Sequence, residues 1–368
     1  MTNDLTFRES SFFTPEQYAA EHKKQMESPR GQLLIASCRS GAALAEKVVE
    51  RYNQILKKMG SQGEVRYLGN IDKNFSDSET NVRLDMHISG YDVFLFQALL
   101  DPASGRSIDQ NYMATLIGAR AFKEHGASHI TAVLPYLAYA RQDKPTKFER
   151  EPTTARLMAD LAVGAGIDRL VVWDPHSSQI RGFYGSIPVH MIESLTLFIN
   201  ELAAFKGRKD VIVVAPDEGA AKYVAHFGRA MDLQYAIASK YRPAPEVAEI
   251  KEIMGDFEGK TTAIVLDDMI SGGGTMHELA KKLVQDKGIK EIYIGISHNL
   301  CIPAALARIK EIQKDFNLKK LLVTDSIPQT EEFMKLDGMK QISLAEIMAR
   351  AVNRIHYNRS VREIFYRP

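Results

Sequence analysis

The stretch Thr262-Ala-Ile-Val-Leu-Asp-Asp-Met-Ile-Ser-Gly-Gly-Gly-Thr275 decides how the rest of the chain is read. Four apolar residues suited to a buried strand, 263–266, end in two carboxylates, Asp267 and Asp268. A small, flexible turn follows, Ser271-Gly272-Gly273-Gly274-Thr275, and then a helical pattern over 276–284. A strand that delivers acids and a Gly-rich turn to a helix start makes an anion cradle. The free N–H groups of the turn and the helix dipole favour phosphate, and the acids suit a sugar's hydroxyls or its divalent metal. Gly-rich strand-to-helix turns are common in α/β proteins, so the turn alone leaves a plain structural role equally open. It is no Walker loop, because no Gly-Lys-Ser/Thr follows, and no Gly-x-Gly-x-x-Gly dinucleotide turn. The two acids ahead of it favour the sugar-phosphate reading.

Composition narrows the classes. The 368 residues suffice for two domains, and 45% hydrophobic content suits a soluble globular protein. With 47 basic and 46 acidic residues the net charge is +1, which offers no electrostatic case for nucleic acid or a membrane surface. Cys38 and Cys301 form neither metal-ligand spacing nor a disulfide framework, as expected in a reducing compartment. No apolar run approaches the ~20 residues of a membrane span. The N-terminus, Met1-Thr-Asn-Asp-Leu, lacks a signal-peptide pattern. A cytoplasmic protein is expected.

On either side of the opening stretch, short β-branched runs alternate with helical ones. Strands are expected at 33–37, 64–68, 82–87, 92–98, 130–135, 169–173, 211–215, 235–239, 291–297 and 320–324, and a last helix at 343–355. This rhythm predicts an α/β protein of two similar domains, each a mostly parallel sheet flanked by helices. The expected divisions are an N-terminal extension over 1–30, a first α/β domain over 31–188 and a second over 189–368, the last residues packing back on the first. The polar stretch 240–260, punctuated by Pro243 and Pro245, reads as a mobile segment.

In open α/β sheets ligands sit at the C-terminal ends of the strands. Those ends here carry Arg141-Gln142-Asp143, Asp174 with His176, Asp217-Glu218-Gly219, and Asp267-Asp268. A single His after a strand is more often structural, but Asp174 and His176 two residues apart are a plausible pair of divalent-metal ligands. Arg141 in an aromatic loop, with Gln142 beside it, suits stacking on or hydrogen bonding to a nucleotide. Lys240 and Arg242, one residue apart on an extended strand exit, face the same side. Alone they would read as a basic surface loop. Beside acids and a phosphate turn they suit cationic stabilisation of phosphoryl-type transfer, which needs positioning and Mg²⁺ more than covalent help.

Taken together, five motifs give the chain a resemblance to the ribose-phosphate pyrophosphokinase family of the type I phosphoribosyltransferase fold. They are Phe75-Ser-Asp-Ser-Glu79, Pro135-Tyr-Leu-Ala-Tyr-Ala-Arg-Gln-Asp143, Asp174-Pro-His-Ser-Ser-Gln-Ile-Arg-Gly-Phe-Tyr184, Lys240-Tyr-Arg-Pro-Ala-Pro-Glu-Val-Ala-Glu249 and the opening stretch. The resemblance runs from about residue 32 to the C-terminus. It implies Mg²⁺-dependent transfer of the diphosphoryl group of ATP to the anomeric hydroxyl of ribose 5-phosphate, giving phosphoribosyl pyrophosphate and AMP. By the same resemblance Phe75, Asp77 and Glu79 would meet ATP, across a subunit boundary, together with Arg141 and Gln142. Asp174 and His176 would hold the metal, and Lys240, Arg242 and His176 would be catalytic. Asp267 and Asp268 would take the ribose hydroxyls, and Ser271, Gly272, Gly273, Gly274 and Thr275 the 5-phosphate. A dimer-based homo-oligomer, up to a hexamer, is implied as well.

The departures are specific. Where the family usually reads Asp-Asp-x-x-Asp-Thr-Gly-Gly-Thr, this chain has Ser271 and Gly272 at the fifth and sixth positions. One carboxylate and one hydroxyl donor are gone, which widens the pocket and makes it less anionic. Acids usual after the Gly-Phe-Phe element are replaced by Gly185 and His190, which bears on a second metal and on regulation. Two further readings therefore stand beside the first: the same chemistry on a modified acceptor such as ADP-ribose, and a catalytically silent associated subunit.

Overall fold

The computed structural model describes residues 14–16, 20, 26–244 and 247–364, and of 240–244 and 247–249 the backbone alone. Most of the extension over 1–30 therefore lies outside the described residues. The apolar runs pair into two seven-stranded sheets.

The first half contains β1 (Glu27–Ser28), β2 (Gly31–Ser37), α1 (Ala42–Lys58), β3 (Arg66–Leu68), a separate two-stranded hairpin of β4 (Asp72–Asn74) and β5 (Thr80–Val82), β6 (Tyr91–Phe96), α2 (Ile108–Glu124), β7 (His129–Leu134), α3 (Thr154–Ala165), β8 (Arg169–Trp173) and β9 (Val189–Ile192). The sheet order is β1-β2-β6-β7-β8-β9, with β3 also on β2. All its pairings are parallel except β1 on β2. Ser107 and Gln110 close a capping box at the start of α2, which satisfies two otherwise unpaired N–H groups.

The second half runs α4 (Leu195–Glu201), β10 (Val211–Ala215), α5 (Ala221–Met231), β11 (Gln234–Ala244), β12 (Val247–Met254), β13 (Thr262–Ile270), α6 (Gly274–Gln285), β14 (Glu291–Asn299), α7 (Pro303–Asp315), β15 (Leu318–Thr324), α8 (Glu331–Met334), β16 (Met339–Ile342) and α9 (Ala345–His356). Its order is β12-β11-β10-β13-β14-β15-β16. The central strands carry Val/Ile runs buried on both faces, as in Val211–Ala215, because helices cover both sides of a parallel sheet. The fold is thus α/β, with two mostly parallel sheets flanked by helices.

Several elements differ from expectation, among them β9, expected in the second domain over 189–368, which pairs with β8 in the first sheet. The alternation over 82–87 forms no strand; only Thr80–Val82 pairs, although Leu84 and Met86 still pack against the core. Alternation here reports a buried side, not a ladder. Residues 240–244 and 247–254 form most of the antiparallel hairpin β11–β12 rather than a loop. Strand β13 also continues through Asp267 and Asp268 to Ile270, four residues beyond the apolar run.

The last helix returns to the first sheet. Leu344, Ile347, Met348, Val352 and Ile355 share one core with Leu33, Ile35, Val48 and Phe94. Beneath it lies a buried ionic group. Arg30 donates from Nε and Nη2 to the two carboxylate oxygens of Asp92, at 3.0 Å each, and His356 Nδ1 lies 2.9 Å from Asp92 Oδ2. Asp92 and His356 have no exposed surface. Removing one partner of a buried pair strands a charge. Arg30→Met is therefore expected to cost on the order of 3 kcal/mol, read as a lowered denaturant midpoint. An unchanged midpoint would show that the Arg30–Asp92 pair contributes nothing to folding.

Candidate active site

The site lies where the C-terminal ends of β8 and β13 meet. Asp267 and Asp268 are neighbours near the end of β13, and their carboxyls interact with each other. Asp268 Oδ2 lies 2.5 Å from His176 Nδ1, a contact that joins the loop after β8 to the second sheet. Asp267 Oδ1 instead accepts from the Asp268 N–H at 2.9 Å. The two carboxyls titrate in opposite directions. Burial, with repulsion from Asp268 and Asp217, pushes Asp267 up. Burial also works against Asp268, but the hydrogen bond and charge of His176 prevail and hold it below the usual carboxylate range. The same hydrogen bond raises His176. Asp268 and His176 thus each favour the charged form of the other, while Asp267 is shifted towards its neutral form.

Asp174 anchors the loop that carries His176. It sits in the left-handed region, φ +42°, and its Oδ2 accepts from the hydroxyls of Ser194, at 2.6 Å, and Ser297. Burial pushes its carboxyl up to about 6. Its backbone oxygen accepts from His298 Nε2 at 3.1 Å, and the His298 ring meets Tyr136 edge-on at 5.2 Å. His298 is buried and pushed down to about 4, hence neutral. Ser177 Oγ donates to Asp143 Oδ2 at 2.7 Å, tying the 136–143 loop to the same corner. Arg141 and Gln142 stand exposed on that loop, with Arg141 close enough to oppose protonation of His176.

After Ile270 the chain turns through Ser271 and Gly272 to Gly273, whose left-handed φ of +75° opens α6 with no side-chain cap. The first helical N–H groups are thus left for a ligand. Lys240 and Arg242 lie on β11; their side chains lie outside the described residues. Phe75, Asp77 and Glu79 occupy the tip between β4 and β5. Phe75 is 50% exposed, and the hairpin's hydrogen bonds run to Arg39 and Arg106, not to the site just described. His190 lies in β9 near Arg169, Arg181 and Arg30, pushed down to about 4 by burial and by those cations.

The structure therefore brings His176 and Asp268 together, with Asp174 on the loop of His176 and the 271–275 turn following Asp268, and leaves the 75–79 tip apart. Sequence reasoning missed Ser194, Ser297, His298 and Arg308, the last of which binds the turn from α7. A His at the end of a β strand, His298, was the one visible signal among them.

The fold and this turn place the chain among proteins of the phosphoribosyltransferase fold type. A family profile described as the N-terminal domain of ribose phosphate pyrophosphokinase matches residues 33–166. Another, the phosphoribosyl synthetase-associated domain, matches residues 238–366. A ribose-phosphate pyrophosphokinase of Caldanaerobacter subterraneus is 38% identical over 291 residues, 79% of this chain and 88% of that one. Its counterpart from Fusobacterium nucleatum is 34% identical over 333 residues, 90% and 97% of the two chains. The crystal structure of phosphoribosylpyrophosphate synthetase from Mycobacterium smegmatis matches with a TM-score of 0.76 at 29% identity, covering 89% of this chain and 99% of that one. The chain belongs to the ribose-phosphate pyrophosphokinase family. Among the described residues no helix is long and apolar enough to cross a membrane.

Proposed function

We propose that this chain transfers the diphosphoryl group of ATP to the anomeric hydroxyl of ribose 5-phosphate, forming phosphoribosyl pyrophosphate and AMP. The observation that carries the reading is the His176–Asp268 contact. It sets a histidine loop from one sheet against the carboxylate strand that ends in the Gly-rich turn of the other.

In this reading the turn 271–275 takes the 5-phosphate, and Asp267 and Asp268 take the ribose hydroxyls. Two adjacent carboxyls shifted in opposite directions suit a diol, whose hydroxyls both donate and accept. The anomeric oxygen attacks the β-phosphorus, the bond to the α-phosphate oxygen breaks, AMP leaves, and the hydroxyl proton departs. Lys240 and Arg242 stabilise the charge that spreads over the transferring group. Phe75, Asp77 and Glu79 hold adenine from a neighbouring subunit, with Arg141 and Gln142 on ATP from this one.

Among the described residues no three or more His, Cys, Asp and Glu side chains gather as a metal cluster. Mg²⁺ in phosphoryl transfer asks for few protein ligands, since phosphates and water fill its shell. His176 fits that role: a carboxylate on one ring nitrogen is the usual way to orient a metal-ligating imidazole by its other nitrogen. His176 and Asp174 would hold the ion, which when bound neutralises phosphate charge.

A homo-oligomer built on dimers is part of the proposal, supported by Met113, Leu157 and Leu161, 43–54% exposed on α2 and α3. The free thiols Cys38 and Cys301 support a cytoplasmic setting. To test the reaction, the protein is incubated with ATP, Mg²⁺ and one acceptor at a time, and AMP and product mass are followed. AMP stoichiometric with phosphoribosyl pyrophosphate is expected. No AMP with any pentose phosphate or with ADP-ribose would mean a silent subunit. A rate with ADP-ribose well above that with ribose 5-phosphate would reassign the acceptor.

A further inference from the structure

Gly272 and Gly273 sit side by side in the turn after β13, and a peptide between two glycines rotates cheaply because no Cβ opposes it. In a trans peptide the C=O and N–H point in opposite directions. The 272–273 peptide therefore has two states, one offering the Gly273 N–H to an anion in the turn and one offering it the Gly272 carbonyl. The first binds phosphate and the second repels it.

Arg308, on α7, selects between them. Its Nη1 donates to the Gly272 carbonyl at 2.5 Å, so the N–H of the same peptide is turned the other way. The turn is seated tightly on α7. A Cβ at Gly272 would lie 3.2 Å from Arg308 Nη1, and one at Gly273 would lie 3.3 Å from the Ala305 Cα. Arg308 is partly buried, so its charge also stands behind the turn with less screening than a fully exposed cation.

We infer that Arg308 is a positioning residue for the sugar's 5-phosphate, holding the Gly272–Gly273 peptide with its carbonyl turned away from the anion and its N–H towards it. The inference rests on reading the 271–275 turn as the 5-phosphate cradle. A side chain at position 272 would press on this guanidinium, since a Cβ there meets Nη1 at 3.2 Å. The assignment also moves part of the selectivity for the acceptor out of the turn and onto a neighbouring helix.

The test separates phosphate positioning from general stability. Arg308→Met is expected to raise KM for ribose 5-phosphate, and its Kd by calorimetry, about 10- to 100-fold, the size of one hydrogen bond to a charged group. KM for ATP and kcat should stay within about threefold, because those parameters do not depend on the cradle. Arg308→Lys keeps a donor without the planar fork and should recover part of the loss. Gly272→Ala places a methyl against the guanidinium and should reproduce the Arg308→Met effect, yet add nothing in the double variant, since both act on one contact. Should Arg308→Met fail to fold, Arg308→Lys and Gly272→Ala still decide. Equal effects on both KM values, a fall in kcat alone, or additive losses would overturn the assignment. A wild-type protein that binds no ribose 5-phosphate would overturn the cradle itself. An Arg308→Met variant that binds it as tightly as the parent would overturn only the role of Arg308.

Discussion

Lys240→Ala is expected to lower kcat about a thousandfold, the cost of removing one transition-state charge donor, while both KM values stay within a few-fold. Diphosphoryl transfer leaves little covalent work to the protein, so a cation that meets only the transferring group contributes to the transition state and hardly to ground-state binding. Lys240 belongs to β11 near the free end of the hairpin, away from the sheet centre, so the variant should unfold at the temperature of the parent. Steady-state kinetics with each substrate varied, alongside thermal unfolding, make the check. A rate near the parent's would remove Lys240 from the mechanism, and a matched rise in both KM values would make it a binding group instead.

Asp268→Asn strikes two interactions at once. Asp268 is the hydrogen-bond partner of His176 and, in the proposed reaction, an acceptor for the ribose diol. The amide keeps the shape and loses the charge. A fall in kcat/KM for ribose 5-phosphate of about a thousandfold, roughly 4 kcal/mol, is expected. There is an independent readout. The raised titration of His176 comes first from the hydrogen bond to Asp268, so its folded-state pKa should drop in the variant. Protonated imidazole would then be lost at lower pH than in the parent, visible in the ring resonances by NMR. An unmoved His176 titration would show that the contact is not what holds the proton.

Much of this architecture was legible because burial writes itself into local pattern. Val211–Ala215 and Thr154–Ala165 carry the periods of a two-sided buried strand and an amphipathic helix, and both formed close to where the residues place them. The hairpin strand β12 was hidden because Pro243 and Pro245 read as breakers. An edge hairpin tolerates proline where no ladder N–H is needed. The motifs of the site were visible one by one, but their assembly was not. His176 and Asp268 are 92 residues apart, and Asp174 and Ser297 are 123 apart. No spacing rule links residues on different sheets, and only the packing of one sheet's loops against the other makes them neighbours. Arg308 was out of reach for the same reason: a helical arginine announces nothing until the glycine it faces is known.

The returning helix α9 has a consequence for how the chain is made. Its imidazole at His356 completes a buried ionic group with Asp92, 264 residues earlier, and its apolar side covers residues of β2 and β6. During synthesis, every strand of the first sheet leaves the ribosome long before its cover does. A nascent or prematurely ended chain carries an open apolar face and an incomplete charge group, the features that chaperones and proteases act on. This helix thus works as a seal, set only on chains translated through residue 356.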